Sequence, residues 1–309
     1  MLRRTDHLEP EEIAQVLELA RVASDADGVY PLSEHVVLHL RHGGDAPAIH
    51  LLAEDAGQLA GYAHVDTTDA VEGASAELVV HPMCRRRGLG RALVLAVSQA
   101  AAEHDPAGRL RLWAHGDHPS ATALALSLGF ERARVLLQMR RSLYAPVDAP
   151  EWPAGVEVRA FRPGKDDQAW VEVNARAFAN HPDQGQWTIR DLQVRMAEPW
   201  FDPAGFLMAW QDETLLGFHW TKVHGSLRPT AGAEHDHQPI GEVYVLGVDP
   251  AAHGRGLGTA LTRAGLRYLR GLGLDQAMLY ADEANTAAVA LYTKLGFARW
   301  STDVSFRRR

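Results

Sequence analysis

Two stretches of this 309-residue chain are near copies of one another. "LVVHPMCRRRGLGRALVLAVSQAAA" begins at Leu78 and "VLGVDPAAHGRGLGTALTRAGLRYL" begins at Val245. Sliding the chain along itself by 168 residues lays Pro82 on Pro250, Gly88 on Gly256, Leu89 on Leu257 and Gly90 on Gly258. So long a period signals duplicated domains and not a solenoid, whose repeats run to about 20–50 residues. A chain of 309 residues holds two cores of ordinary size.

The similarity continues past the glycines. Leu89, Ala92, Leu93, Ala96, Val97 and Ala100 are answered by Leu257, Ala260, Leu261, Ala264, Gly265 and Tyr268, the i, i+3, i+4, i+7 face of a packed helix. "LALSLGFERARV" at Leu124 is answered by "ALYTKLGFARWS" at Ala290, so each copy closes with a helix, a Leu-Gly-Phe break and a strand. Gly129 and Gly296 stand where helix C-caps belong. Between the copies, "SLYAPVDAPEWPAG" carries prolines that deny it helix or central strand. The expected organisation is therefore a domain over residues 1–141, a linker over 142–154 and a second domain over 155–309. Each half alternates strands with helices: "VEVRAF", a helical region from Asp166 to Phe178, "GFLMAWQ", "TLLGFHWTKV", "GEVYVLGV", "QAMLYAD" and a last strand near Thr302. The fold class is α/β (α+β), each domain a mixed central sheet flanked by helices.

In both copies an apolar strand ends in Val-His-Pro or Val-Asp-Pro, and a Gly-x-Gly then opens a helix. The first helical turn has unpaired N–H groups and the positive end of the macrodipole, and glycines let an anion approach the backbone. No Lys-Ser or Lys-Thr follows, which excludes a P-loop, and the G-x-G-x-x-G spacing of a dinucleotide site is missing. A pyrophosphate carried by another cofactor remains, with a tight turn kept small for packing as the alternative.

Composition narrows the partners. A net charge of −8 gives no overall attraction to nucleic acid, although Arg85, Arg86 and Arg87 could together hold a small anion. Cys84 is the single cysteine, so neither an intrachain disulfide nor a Cys-rich metal site is available. The first twenty residues lack the apolar core of a signal peptide, and no run reaches the roughly 18 apolar residues of a membrane span. These features lead to the expectation of a cytoplasmic protein with no membrane or nucleic-acid partner; a monomer is expected as well. His235 and His237, near His224, have a His-x-His spacing, but Gly, Pro and Ala dilute the segment, which reads as a surface loop; no metal is expected.

With these motifs in order, the chain resembles the GNAT family of N-acetyltransferases, whose Arg/Gln-x-x-Gly-x-Gly/Ala signature opens the helix that holds the pyrophosphate of acetyl-CoA. Arg85, Gly88 and Gly90 match it in the first copy. His253, Gly256 and Gly258 match it in the second, with His at the usual Arg/Gln place. "NTAAVALYTKLGF" from Asn285 to Phe297 is similar to the family's closing helix. The duplication, with "NHPDQGQWT", "GFHWTKVH" and "LYADEANTAAVALYTKLGF", resembles a tandem branch of the family over nearly the whole chain. That branch acetylates the cysteinyl amine of a cysteinyl-glucosaminyl-inositol. The resemblance implies acetyl-CoA as cosubstrate. Its contacts would be Leu78, Val79, Val80, Arg86, Arg87, Gly88, Leu89, Gly90 and Arg91 in the first half. In the second half they would be Leu246, Gly247, Val248, the turn His253, Gly254, Arg255, Gly256, Leu257, Gly258 and Thr259, and the helix start Asn285, Thr286, Ala287, Ala288, Val289 and Ala290.

Acetyl transfer to an amine needs a base for the ammonium proton and an acid for the departing thiolate. Glu242, on the strand leading into the second turn, stands where the family keeps a carboxylate, and Tyr292 lies in the closing helix. The alternatives are an exposed strand carboxylate and a core aromatic. Aligning the halves puts Ala74 at the place of Glu242, Ala125 at that of Tyr292 and His118 at that of Asn285, so the first half keeps the turn and lacks the pair. The expectation is a catalytic C-terminal domain and an N-terminal one that binds acetyl-CoA without turnover or braces its partner. By resemblance, acceptor contacts are Glu34, Asp183, Lys222, Glu242 and Tyr280. Asp183 stands where the family has the longer Glu, Lys222 reads equally as a solvated strand charge, and Tyr280 equally as core. An acetyltransferase for another small amine or a peptide N-terminus, and a non-catalytic acyl-CoA sensor, remain open.

Overall fold

The computed structural model describes residues 1–43, 48–69, 72–179, 184–225 and 238–308. The chain forms two compact units, Met1–Leu136 with Ser301–Arg309, and Leu137–Trp300.

The first unit contains β1 (Leu2–Thr5), α1 (Pro10–Asp27), α2 (Glu34–His42), β2 (Ile49–Asp55), β3 (Gln58–Asp66), β4 (Ala74–Val80), α3 (Leu89–His104), β5 (Leu110–Ala114) and α4 (Pro119–Ser127). Strand β6 (Phe130–Ser142) starts in it. The second contains β7 (Glu157–Ala160), α5 (Asp167–Ala177), α6 (Ile189–Met196), β8 (Phe206–Gln211), β9 (Thr214–His224), β10 (Ile240–Val248), α7 (Leu257–Gly271), β11 (Gln276–Asp282) and α8 (Thr286–Lys294). Strand β12 (Ala298–Arg308) closes the chain.

The expected boundaries at 141 and 155 handle the closing strands differently from the structure. Val304–Arg307 of β12 pair antiparallel with Arg111–Ala114 of β5, so the chain's end belongs to the first unit. The end of β6, from Leu137, belongs to the second, and the N–H of Leu143 donates to the Asp275 carbonyl there at 2.8 Å. Leu143 and Val147, expected in a linker, are buried. Local sequence does not say which sheet a closing strand will join, because that pairing is a long-range hydrogen-bonding choice.

Each sheet carries helices on both faces. In the first unit the order is β1-β2-β3-β4-β5-β12, with β4 and β5 parallel. Val16, Leu19, Val36 and Leu40 of α1 and α2 cover Leu52, Tyr62 and Val79. Leu93, Val94 and Val97 of α3 cover Leu51, Ala63, Val65, Ala74 and Ala76 on the opposite face. In the second unit the order is β6-β11-β10-β9-β8-β7, with β10 and β11 parallel. Trp170 and Leu192 of α5 and α6 pack on Phe206, Phe218, Trp220 and Val245, and Leu257 and Leu261 of α7 pack on Ala209 and Leu216. Gly129 and Gly296 adopt φ of 82° and 84° just past α4 and α8, the left-handed conformation that ends a helix.

One irregularity separates the two halves. The β9–β10 register shifts between Val243 and Val245, a bulge centred on Tyr244, whereas β3–β4 runs unbroken from Gly61↔Val80 to Asp66↔Ser75. An extra residue reverses the side-chain alternation behind it. Glu242 therefore sits on the same face as Val245 and Trp220, toward α5 and α6, while Ala74 points the other way, into the core beneath α3.

Candidate active site

The glycine turns form as the sequence predicts. After β10, a short 3₁₀ turn (Pro250–Ala252) leads to Gly254 at φ 75° and Gly256 at φ 78°, which caps α7. The ladder of α7 begins with Ala260 N–H donating to the Gly256 carbonyl at 3.1 Å, so the N–H groups of Leu257, Gly258 and Thr259 precede it. These are the donors a pyrophosphate requires. In the first unit Gly88 caps α3 at φ 88°, and Arg86 takes the left-handed place of Gly254 at φ 61°.

The residue at the signature's Arg/Gln place secures the turn itself. Arg85 Nε donates to the Val80 carbonyl at 3.1 Å, and His253 Nε2 donates to the Val248 carbonyl at 3.1 Å. His is thus an adequate replacement, because what the position needs is one N–H aimed back at the strand end. Two of the three neighbouring arginines are paired within the chain. Arg85 makes a bidentate pair with Asp27 at 2.7 Å, and Arg87 pairs with Asp55 at 2.7 Å. Arg91 reaches Ser127 Oγ at 3.0 Å.

Beside each turn the two parallel strands part. The β10–β11 ladder runs from Gly241↔Ala277 to Val243↔Leu279, leaving Leu246–Val248 beyond it, and the β4–β5 ladder ends at Glu77↔Trp113, leaving Leu78–Val80 beyond it. Backbone groups on such an edge must find other partners, and an extended, amide-bearing chain is suited to supply them. Asn285 accepts the Ala288 N–H at 3.1 Å and so caps α8, setting Thr286, Ala287, Ala288, Val289 and Ala290 in its first turns. His118 caps α4 in the same way through Ser120.

Glu242 is buried, not an exposed strand carboxylate. Burial alone would raise its pKa, but the hydrogen bond from His224 Nε2 at 2.6 Å, together with the charges of His224 and Lys222, lowers it below the usual range. It is ionised at neutral pH. Lys222 lies opposite Glu242 in the ladder and is itself buried, with Nζ 4.5 Å from the Trp200 ring centre and 5.1 Å from that of Tyr244. It is not a solvated strand charge. Arg195 of α6 stacks on Trp187 at 3.7 Å and donates to the Tyr244 hydroxyl at 2.8 Å. Cations over aromatic faces form one wall, with the carboxylate beside them.

Tyr292 is buried on α8, 5.9 Å from Phe297 in an edge-on contact, and burial pushes its phenol up to about 12. It keeps its proton at neutral pH. Tyr280 is half exposed, not core, and its hydroxyl accepts from Gln138 at 2.7 Å. Glu34 begins α2, where Ser33 Oγ accepts the Val36 N–H at 3.4 Å. Asp183, His235 and His237 lie outside the described residues.

Sequence reasoning missed three participants. His224 ends β9 as the partner of Glu242 and does not belong to the His-rich loop; its i+2 spacing from Lys222 on a strand was the available signal. Tyr244 could not be found, because a bulge aims it. Glu77 is the third, and it corrects the reading that the first half has no carboxylate here. It is buried on β4 opposite His64, toward α1 and α2. It differs from Glu242 in its company: the Ser33 N–H donates to it at 2.5 Å, and His115 Nε2 lies 3.5 Å away. The other nitrogen of His115 donates to Asp303 at 2.9 Å. Burial would lower the pKa of His115, yet the two carboxylates carry it up to about 10. Glu77 is held in a closed charge network.

The Acetyltransferase (GNAT) family profile matches the chain twice, over residues 13–130 and 169–297. A protein named mycothiol acetyltransferase in Salinispora arenicola is 60% identical over 99% of this chain and 96% of its own length. One of the same name in Acidothermus cellulolyticus is 56% identical over 97% of this chain and 92% of its own. Among solved structures, a tandem GNAT protein from the clavulanic acid biosynthesis pathway superposes with a TM-score of 0.73 at 22% identity, covering 99% of this chain and 98% of its own.

Proposed function

The chain belongs to the acetyltransferase (GNAT) family, and from that premise we propose that it acetylates the cysteinyl amine of a cysteinyl-glucosaminyl-inositol with acetyl-CoA, completing mycothiol. The near full-length identity to the Salinispora and Acidothermus enzymes supports this acceptor. The observation that carries the chemistry is Glu242, buried, ionised and held by His224 next to the strand edge that leads into the glycine turn.

The proposed course follows from the chain's own groups. The N–H groups of Leu257, Gly258 and Thr259 bind the pyrophosphate, with the positive end of α7 behind them. Glu242 takes the proton of the acceptor ammonium, directly or through one water, and His224 holds the carboxylate in place. Backbone donors along Leu246–Val248 polarise the thioester carbonyl. Tyr292, still protonated at neutral pH, gives its proton to the departing thiolate. Lys222, Tyr280 and Asp183 are proposed as contacts for the many hydroxyls of the acceptor.

For the first unit the proposal is acetyl-CoA binding without turnover. Its turn carries the same cap and strand-end bond as the second, while Glu77 is engaged by His115 and Ala125 stands in place of Tyr292. A cytoplasmic, monomeric enzyme is part of the same proposal; among the described residues no helix is long and apolar enough to cross a membrane.

Incubation with acetyl-CoA and cysteinyl-glucosaminyl-inositol, with mass detection, tests the assignment. The expected product is the singly N-acetylated acceptor. Turnover of another amine in its place overturns the acceptor, and absence of thiol release with every amine overturns the enzyme reading in favour of an acyl-CoA sensor.

A further inference from the structure

The face of the first unit that corresponds to the acceptor side of the second holds three histidines. His39 comes from α2, His50 from β2 and His64 from β3. One ligand nitrogen from each lies within 4.8 Å of the others, and this is the one such group of three among the described residues. Their ring centres are 5.1 to 6.1 Å apart.

Two features separate the cluster from ordinary core packing. The Tyr62 hydroxyl lies 2.7 Å from His50 Nδ1 and 3.4 Å from His64 Nδ1, so a single group orients both imidazoles through the same ring nitrogen. An outer partner on one nitrogen fixes the tautomer and presents the other as a ligand. In addition, His64 is 1% exposed, and its Nε2 is buried with no hydrogen-bond partner. A buried polar atom of that kind calls for an explanation, an ion being one.

The structure assigns a further site: we propose that His39, His50 and His64 bind one zinc-like divalent transition ion, with solvent in the fourth position, fastening α2 to the β2–β3 hairpin. Imidazole nitrogens suit zinc at about 2.0–2.1 Å. The three nitrogens must draw together to about 3.3 Å for a tetrahedral arrangement at that bond length. Acetyl transfer in the second unit needs no metal, so the role of this ion is structural.

The test uses the full chain, freed of metal by chelator dialysis and titrated with Co²⁺ at neutral pH, followed by Zn²⁺ competition and elemental analysis. One equivalent with the strong visible absorption of tetrahedral cobalt is expected, together with a rise in Tm on adding Zn²⁺. Tyr62→Phe should weaken binding roughly 10- to 100-fold, and His50→Ala or His64→Ala should abolish the absorption and the Tm rise. His39→Gln, at a partly exposed position, serves where a buried replacement fails to fold. Wild-type protein that takes up no stoichiometric ion overturns the proposal, as does binding that survives these histidine replacements.

Discussion

His224 and Glu242 stand 2.6 Å apart at the end of the β9–β10 ladder, the imidazole donating to a carboxylate that is otherwise buried. The bond opposes the desolvation of Glu242 and keeps its pKa low. Replacing His224 with Leu removes the hydrogen bond that opposes desolvation and leaves burial as the larger influence, so the pKa of Glu242 should rise. The acidic limb of kcat/KM should then move to higher pH, because Glu242 must be ionised to act as base. An unmoved limb would detach the pair from the proton transfer.

Glu242→Gln and Tyr292→Phe should each lower kcat by about 100-fold or more, the range for a lost general base or acid. Neither change should raise the KM for acetyl-CoA more than a few-fold, because the pyrophosphate is held elsewhere. Pre-steady-state detection of the released thiol separates chemistry from product release. Rates near those of the parent enzyme would remove these residues from the catalytic roles.

Gly256 and Gly88 provide a comparison between the units. Each caps a helix at positive φ with open space where a methyl group would stand, so the cost of Ala is in the backbone, about 1–2 kcal/mol. Both variants should lose comparable stability in denaturant titrations. Only Gly256→Ala should raise the KM for acetyl-CoA in turnover. Equal sensitivity to Gly88→Ala would mean that the first unit contributes to catalysis.

His115 links stability to pH. Its pKa is about 10 in the folded protein against about 6.5 when unfolded. A raised value of this kind contributes stability fully at pH below about 6.5 and loses it as pH climbs toward 10. The stability difference between the parent protein and His115→Gln should therefore shrink steadily across that interval. A difference that is flat with pH would show that the imidazole is not charged in the Glu77–Asp303 network.

Much of this molecule was legible in the chain itself. Domain duplication, the glycine turns and the helix stops at Gly129 and Gly296 rest on local chemistry: positive φ, helix caps and apolar periodicity act within a few residues. The same locality explains Asn285 and His118, which cap equivalent helices with different side chains.

What only the tertiary structure decided depends on registers and distant partners. A one-residue bulge at Tyr244 turns Glu242 toward Lys222 and α5, and its absence from β4 sends Ala74 into the core and makes Glu77 the carboxylate of that face. Alignment by sequence counts residues, whereas a strand's faces alternate with every residue, so one insertion exchanges inside and outside. The pairing of β12 with β5, the closure of Asp303 onto His115, and the meeting of His39, His50 and His64 join residues far apart along the chain. Local periodicity has no means of recording such contacts, since they arise only when the sheets are assembled.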